Sequence, residues 1–477
     1  MYKPGYLLYA LLLLVMAVPT QARQNQFGGA VAVGADEVFI SETQNVISAG
    51  TVYVYRRDAS DGMWKEAAQL QASDAMPDWD DRFGRVLVAQ DNRLLVGATR
   101  KDNTKGGAYV FEKNASGSWT EVAQLTAQEG AEADHLGRVM ALSGDFAFVS
   151  ALGYNESRGA VYVFRRDPQR GTWSQHAKLA VDTLQSGDYF GMAVAVDGDR
   201  ALISAPFRNS GTGVVYAFGY DKAANAWVST GIVGEGVAEQ NFFGMTLGLQ
   251  GDVAFVGVPS YEGNLGAVNT YRYDAAAGTW LFENRLAPSD GDQGRLASSL
   301  AVNGNEIWAG APGAGGFQGA VYTYRLEGDS WGETAKLTLP EAKQGDFFAG
   351  ALAVNGDLAV VGVTGADNGA GTAVIFERDS ATGQWAAKNT VFNEVIGIAS
   401  IVGGQVDCTD GEAAAFGCQQ VDLMSFLSVK DIGGGRGVNT NDVWGWTDPE
   451  TGKEYALVGR IDGTSFVDIS NPHNPIF

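Results

Sequence analysis

The residues in this chain that could do chemistry are few and dispersed. Alternating carboxylates let a loop converge several oxygen ligands on one hard cation such as calcium. The nearest approaches to that pattern are Asp78-Trp-Asp80-Asp81 and Asp290-Gly-Asp292-Gln-Gly294, which makes Asp78, Asp80, Asp290 and Asp292 the candidate calcium ligands. Neither run completes D-x-D-x-D-G, and a solvated acidic turn is the simpler reading of both. Gly187-Asp188 and Gly345-Asp346 are shorter versions of the same turn. His135, His176 and His473 stand one by one, so no triad and no histidine metal cluster suggests itself. No G-x-S-x-G elbow, H-E-x-x-H pair or P-loop occurs. The run Gly313-Ala-Gly315-Gly-Phe-Gln-Gly319 has the composition of a nucleotide loop, but no helix follows it and it reads as a hairpin loop. Asn114-Ala-Ser116 and Asn155-Glu-Ser157 match the glycosylation acceptor pattern, which matters only in a eukaryotic secretory pathway.

Composition narrows the setting in which such residues act. The chain has 477 residues, 64 of them glycine, and a net charge of −22. An acidic chain without a basic stripe is a poor ligand for nucleic acid, so that partner class is excluded. Residues 1–22 carry one early cation, Lys3, an apolar run from Leu7 to Val18 and the ending Pro19-Thr20-Gln21-Ala22. This is the layout of a secretory signal cleaved after Ala22, with an uncleaved N-terminal anchor as the alternative. Twelve apolar residues are short of the ~20 that span a bilayer. Export predicts that Cys408 and Cys418, which enclose nine residues, are joined as a disulfide; two reduced buried thiols are the other reading.

The elements that must position any site come from an internal repeat. A Phe-Gly-like pair recurs at Phe27-Gly28, Phe83-Gly84, Leu136-Gly137, Phe190-Gly191, Phe243-Gly244, Leu296-Ala297 and Phe348-Ala349, at spacings of 56, 53, 54, 53, 53 and 52 residues. Each copy continues through an alternating apolar stretch, a polar turn such as Asp197-Gly198-Asp199, and a buried run ending in small residues such as Gly310-Ala311-Pro312. After a loop comes a Gly-opened stretch such as GAVYVF from Gly159, and then one Trp: Trp64, Trp119, Trp173, Trp227, Trp280, Trp331 or Trp385. Short strands rich in β-branched and aromatic residues, four per repeat, predict an all-β fold, a seven-bladed β-propeller of four-stranded blades over 27–395. A solenoid of β-units is the runner-up, but it would need atypical capping repeats, and the first and last copies look like the others.

The Phe-Gly start, the Gly-Ala-Pro phrase and the Gly-Ala-Val-Tyr strand resemble FG-GAP repeats, the units of the integrin α-subunit propeller and of many secreted bacterial proteins. That resemblance implies a seven-bladed propeller serving extracellular binding or adhesion. The missing D-x-D-x-D-G loops set this chain apart from the calcium-binding members of that family, so no cofactor is expected, with calcium the one to test.

Past about 395 the repeat stops. Residues 396–420 read as a linker that holds the two cysteines, and 421–477 as the start of a second β domain. Asp448-Pro-Glu-Thr-Gly452 reads as a hairpin turn between two strands, and Phe466-Val-Asp-Ile as another strand. The Cys pair, the Trp444-Gly-Trp446-Thr-Asp-Pro-Glu-Thr-Gly run and Val467-Asp-Ile-Ser-Asn-Pro472 resemble the opening of the bacterial choice-of-anchor B surface proteins, whose domain is similar to a propeller of LVIVD-type repeats. This implies export and attachment at a bacterial surface through a C-terminal anchor. The sequence-level expectation is therefore a secreted or cell-surface binding and adhesion scaffold without catalysis, whose propeller loops take an extracellular protein or glycan. A calcium-stabilised module and an enzyme with its site in the propeller channel are the alternatives. The incomplete second domain predicts that the chain is a fragment. Reading the gene past Phe477 should show further repeats of the second domain, and a stop codon there would refute the expectation.

Overall fold

The computed structural model describes residues 27–43, 50–75, 80–234, 241–393 and 398–477. Residues 1–22, expected from the sequence to be an export signal, and Asp78 lie outside the described residues.

Each repeat folds into one antiparallel sheet whose strands lie in chain order, and there are seven such four-stranded sheets. In the third copy the strands are Leu136–Ser143, Phe146–Ala151, Ala160–Arg166 and Trp173–Leu179. The polar turns of the sequence are the hairpins between first and second strands. The first strand of each sheet touches the first strands of its two neighbours, and that of the last repeat, Phe348–Asn355, touches that of the first, Phe27–Val33. The ring is therefore closed as a β-propeller, which removes the solenoid reading. Closure exchanges no strand among the described residues. The amide of Phe27 donates to the carbonyl of Ala370 at 3.1 Å, and Trp64 Nε1 donates to Glu377 Oε1 at 3.0 Å.

The core lies between the blades. One cluster joins Phe39, Val52 and Val54 of the first blade to Phe83, Leu94, Val96, Tyr109 and Phe111 of the second, all nearly inaccessible. A single sheet cannot bury both faces, so each stacks against the next and apolar area leaves water on both sides. The repeated tryptophans serve this stacking. Trp119 meets Phe39 of the preceding blade edge-on at 5.2 Å and donates to Glu37 at 3.0 Å. Trp385 does the same with Trp308 at 4.8 Å and with Glu306. Glu37 and Glu306 are buried, and each is neutralised by cations: Arg56 and Lys113 for the first, Arg378 and Arg325 for the second. A buried carboxylate without such partners would be strongly destabilising.

The Phe-Gly pair is the joint between blades. In the third blade the amides of His135 and Leu136 donate to the carbonyls of Thr104 and Lys105 in the preceding blade, at 3.0 and 2.9 Å. Tyr189 and Phe190 do so to Ser157 and Arg158, and Phe347 and Phe348 to Phe317 and Gln318. The accepting loop is a tight turn with three consecutive residues in the left-handed region, as at Asn155, Glu156 and Ser157 (φ 49°, 60° and 63°). The carbonyl of the Phe then lies against the glycine that opens the preceding blade's third strand. A Cβ on Gly159 would collide with the carbonyl oxygen of Phe190, and the same is true of Gly371 and the Phe27 carbonyl at the closing seam. That glycine is needed for close approach of two backbones.

A second complementarity follows around the ring. A Cβ on Gly244 would meet the Cβ of Ser204 and Cγ2 of Val215, both at 2.9 Å. Where the pair ends in alanine instead, at Ala297 and Ala349, the facing residue of the preceding blade is glycine, Gly257 or Gly310. One side of each such contact stays small. Gly244→Ala, at φ 90°, is expected to cost about 2–3 kcal/mol. Adding Ser204→Gly should recover more than additivity allows, with a coupling of at least ~1 kcal/mol in a denaturant double-mutant cycle. Simple additivity would sink the reciprocal-packing account.

Candidate functional site at the channel mouth

The first strands of the seven blades touch one another in a closed ring, so they are the strands nearest its central channel. Directly after the Phe-Gly pair, the seven copies carry Gly29, Arg85, Arg138, Met192, Met245, Ser298 and Gly350. Directly before it stand Arg82, His135, Tyr189, Phe242, Arg295 and Phe347, with the first copy outside the described residues. All six are left-handed, with φ between 51° and 60°. The inter-blade hydrogen bonds fix this backbone, so side chains at these positions vary without disturbing the joint.

At the second and third blades these positions bring three arginines together. Arg85 is half-buried, and its guanidinium is pulled down to about 10, mainly by desolvation and then by the neighbouring charges of Arg138 and Arg82. Arg138 is shifted down by desolvation and then by Arg82. Arg82 is balanced by Asp80 at 3.2 Å, which also takes Arg100 at 2.7 Å. Among the described residues, Arg85 and Arg138 have no carboxylate within ion-pair distance and no side-chain hydrogen bond. Two unpaired arginines held side by side in a chain of charge −22 form a seat for an anion.

Two further groups flank this seat in sequence. His135, three residues before Arg138, has Nδ1 3.2 Å from the carbonyl oxygen of Thr99. A proton on Nδ1 makes this a hydrogen bond and leaves Nε2 as a base. Asp81, next to Arg82, has its carboxyl pushed above the ordinary range, first by burial and also by Asp74, Asp102 and Asp80. The sequence neighbours of His135, Asp134 and Leu136, line a notch of about 40 Å³ together with Asp102 and Lys105, roomy enough for one water. The buried Asp134 takes the amide of Ala131 at 2.8 Å and so shapes that loop.

The carboxylates singled out by sequence do other work. Asp290 accepts from Lys336 at 2.6 Å and from the Tyr322 hydroxyl at 3.0 Å; Asp292 accepts from the same ammonium at 3.1 Å and from the Gly315 amide. Lys336 Nζ thus stands between the two carboxylates. Asp80 is held by Arg82 and Arg100. Among the described residues no group of three or more His, Cys, Asp and Glu could hold a metal ion. Cys408 and Cys418 form a disulfide, with Cα atoms 5.9 Å apart. The three histidines remain apart: His176 meets Phe146 at a tilt, with ring centres 5.6 Å apart, and His473 lies in the C-terminal segment.

The FG-GAP repeat family matches residues 64–111, 119–164, 173–218 and 331–376, so four such repeats are present. No curated protein matches the chain in sequence. Among solved structures the fold is similar to that of a "putative 6-phosphogluconolactonase" from Bacteroides uniformis, at TM-score 0.52 and 12% identity, covering 76% of this chain and 98% of that one. The Pseudomonas aeruginosa periplasmic gluconolactonase PpgL is similar at TM-score 0.49 and 17% identity, covering 73% and 93%. These likenesses show the fold alone. The expectation that such a propeller is a scaffold without catalysis is corrected to this extent: a protein named as a lactonase shares the fold, so the fold does not exclude an enzyme. Missing local motifs were a weak ground for excluding an enzyme: a propeller assembles a site from separate blades, so no contiguous motif is required. Aligning the copies on the Phe-Gly pair would have exposed Arg85 and Arg138; reading each run along the chain does not.

Removing one of two crowded like charges relieves repulsion. Arg138→Met is expected to raise the melting temperature of the ligand-free protein at low salt, worth about 1 kcal/mol or less, with the gain fading as salt screens the pair. A lower melting temperature at every ionic strength would contradict the unpaired cluster.

Proposed function

We propose that this propeller is a hydrolase that holds an anionic small molecule at its channel mouth and opens a cyclic ester there. The observation that carries the reading is the pair Arg85 and Arg138, without carboxylate partners on adjacent inner strands. The Bacteroides neighbour supports the class of reaction, since its name denotes a lactonase with a phosphorylated substrate.

The chemistry asks little of the chain. Water attacks the lactone carbonyl carbon while the imidazole of His135 takes its proton. The negative charge that develops on the carbonyl oxygen, together with the anionic group of the substrate, is held by the guanidinium groups. The tetrahedral adduct collapses with cleavage of the ring C–O bond, and the proton returns to the leaving ring oxygen as an alcohol. The product is an open-chain hydroxy acid. Thr99 positions His135 through Nδ1.

The same reading takes residues 1–22 as an export signal, so the enzyme would act outside the cytoplasm. It takes the C-terminal sheet as part of a domain similar to those of the choice-of-anchor B proteins, which would attach it to the cell surface. The disulfide at Cys408 and Cys418 suits an oxidising compartment.

The test is hydrolysis of 6-phosphogluconolactone and of its unphosphorylated counterpart, measured above the spontaneous rate. Expected are a preference for the phosphorylated lactone, a loss of kcat/KM of about tenfold or more in Arg138→Ala, and a fall in kcat of about a hundredfold in His135→Gln. No acceleration of either lactone would overturn the proposal.

A further inference from the structure

A larger cavity lies elsewhere, where the C-terminal segment meets the seventh blade. Its volume is about 640 Å³, within the range of small-molecule sites. Arg436 builds the junction. Its guanidinium pairs with Asp367 at 2.9 Å, donates to Asn393 Oδ1 at 2.7 Å and to the Asn393 carbonyl at 3.1 Å, and sits 5.6 Å from the centre of the Phe392 ring. Phe392 is nevertheless 56% exposed, and it lines the cavity. An aromatic ring left that open on a cavity wall, fixed on one side by an arginine, is a platform awaiting an apolar face.

The polar lining says what kind of molecule offers that face. Three carboxylates border the cavity, and each is already committed to one partner: Asp346 to the Lys343 amide at 2.7 Å, Asp367 to Arg436, and Asp462 to Arg460 at 2.8 Å. The charges of Asp367 and Asp462 are balanced by arginines, Asp346 shares the rim with the Lys343 ammonium, and each carboxylate keeps spare acceptor sites in a fixed direction. Gln344, exposed on the rim, adds an amide that both donates and accepts. The formal charges of Asp346, Asp367 and Asp462 cancel against those of Lys343, Arg436 and Arg460, so the wall carries no net charge to draw an ion of either sign. It offers oriented acceptors and donors around an aromatic platform, which suits a neutral polyhydroxylated ring with one C–H face.

We infer that this cavity is a binding site for a neutral carbohydrate, distinct from the anion seat at the channel mouth, with Phe392 stacking against a sugar ring and Asp346, Asp367 and Gln344 reading its hydroxyls. The site joins the propeller to the C-terminal segment, so both contribute to it. It does not depend on the hydrolase reading.

Saturation-transfer NMR on the full chain, with maltose, cellobiose, lactose and mannobiose as neutral probes and glucuronic acid as the charged control, tests the inference. Expected is transfer to ring protons of at least one neutral disaccharide, weakened about tenfold or more in Phe392→Ala and reduced in Gln344→Ala, but unchanged in Arg85→Ala. Both cavity substitutions change exposed side chains, and an unaltered melting temperature checks the fold. Transfer from none of the neutral probes would overturn the site, as would binding that survives Phe392→Ala or is confined to glucuronic acid and lost in Arg85→Ala.

Discussion

The structure depends on one backbone contact repeated around a ring: the start of each blade donates its amides to the loop of the blade before it. In the third blade these are the amides of His135 and Leu136, bonded to Thr104 and Lys105. Main-chain hydrogen bonds do not depend on side-chain identity, so the contact survives wide sequence variation. Its cost is conformational. The residue before the Phe must be left-handed, and the accepting loop must hold three left-handed residues in a row. For residues other than glycine this costs roughly 1–2 kcal/mol each. The apolar faces stacked between blades and the buried ion pairs at Glu37 and Glu306 offset that strain.

The joint separates frame from site. The Phe, the glycine against its carbonyl and the tryptophan reaching back to the preceding blade are repeated because they hold blades together. The side chains immediately before and after the Phe-Gly pair escape that duty. Around the mouth they pass from arginine and histidine to tyrosine, phenylalanine and methionine, then to Arg295 with Ser298 and Phe347 with Gly350. A chemically uneven ring is thus mounted on a uniform frame, and its cationic sector arises because two adjacent copies carry arginine at the same place. The surplus acid of the chain sharpens the point. Many of its cations serve as counterions, as Lys336 does between Asp290 and Asp292, whereas Arg85 and Arg138 are not engaged by a carboxylate among the described residues.

The C-terminal segment is tied to the frame by a different device. One arginine, Arg436, gathers a carboxylate, an amide and main-chain carbonyls at the seam where the first and last blades meet; Ala370, whose carbonyl takes the Phe27 amide, is also 3.4 Å from its guanidinium. Such a junction orients its parts through charge-assisted hydrogen bonds. A cavity lies beside it, lined in part by Arg436 itself.

The sequence by itself determined the strands, their order within a blade and the number of repeats. Those features rest on local rules: alternation of apolar residues, glycine at turns, and one tryptophan per copy. It also placed the two cysteines close enough to join, and they do. It did not reveal the channel-mouth cluster, because Arg82, Arg85 and Arg138 are separated by up to 56 positions and become neighbours only when blades stack. Nor could it say that Asp290 and Asp292 face a lysine rather than an open loop, since Lys336 comes from the outer strand of the same blade, more than 40 residues on. Local periodicity encodes the blade; ring closure alone decides which side chains of different blades share a field.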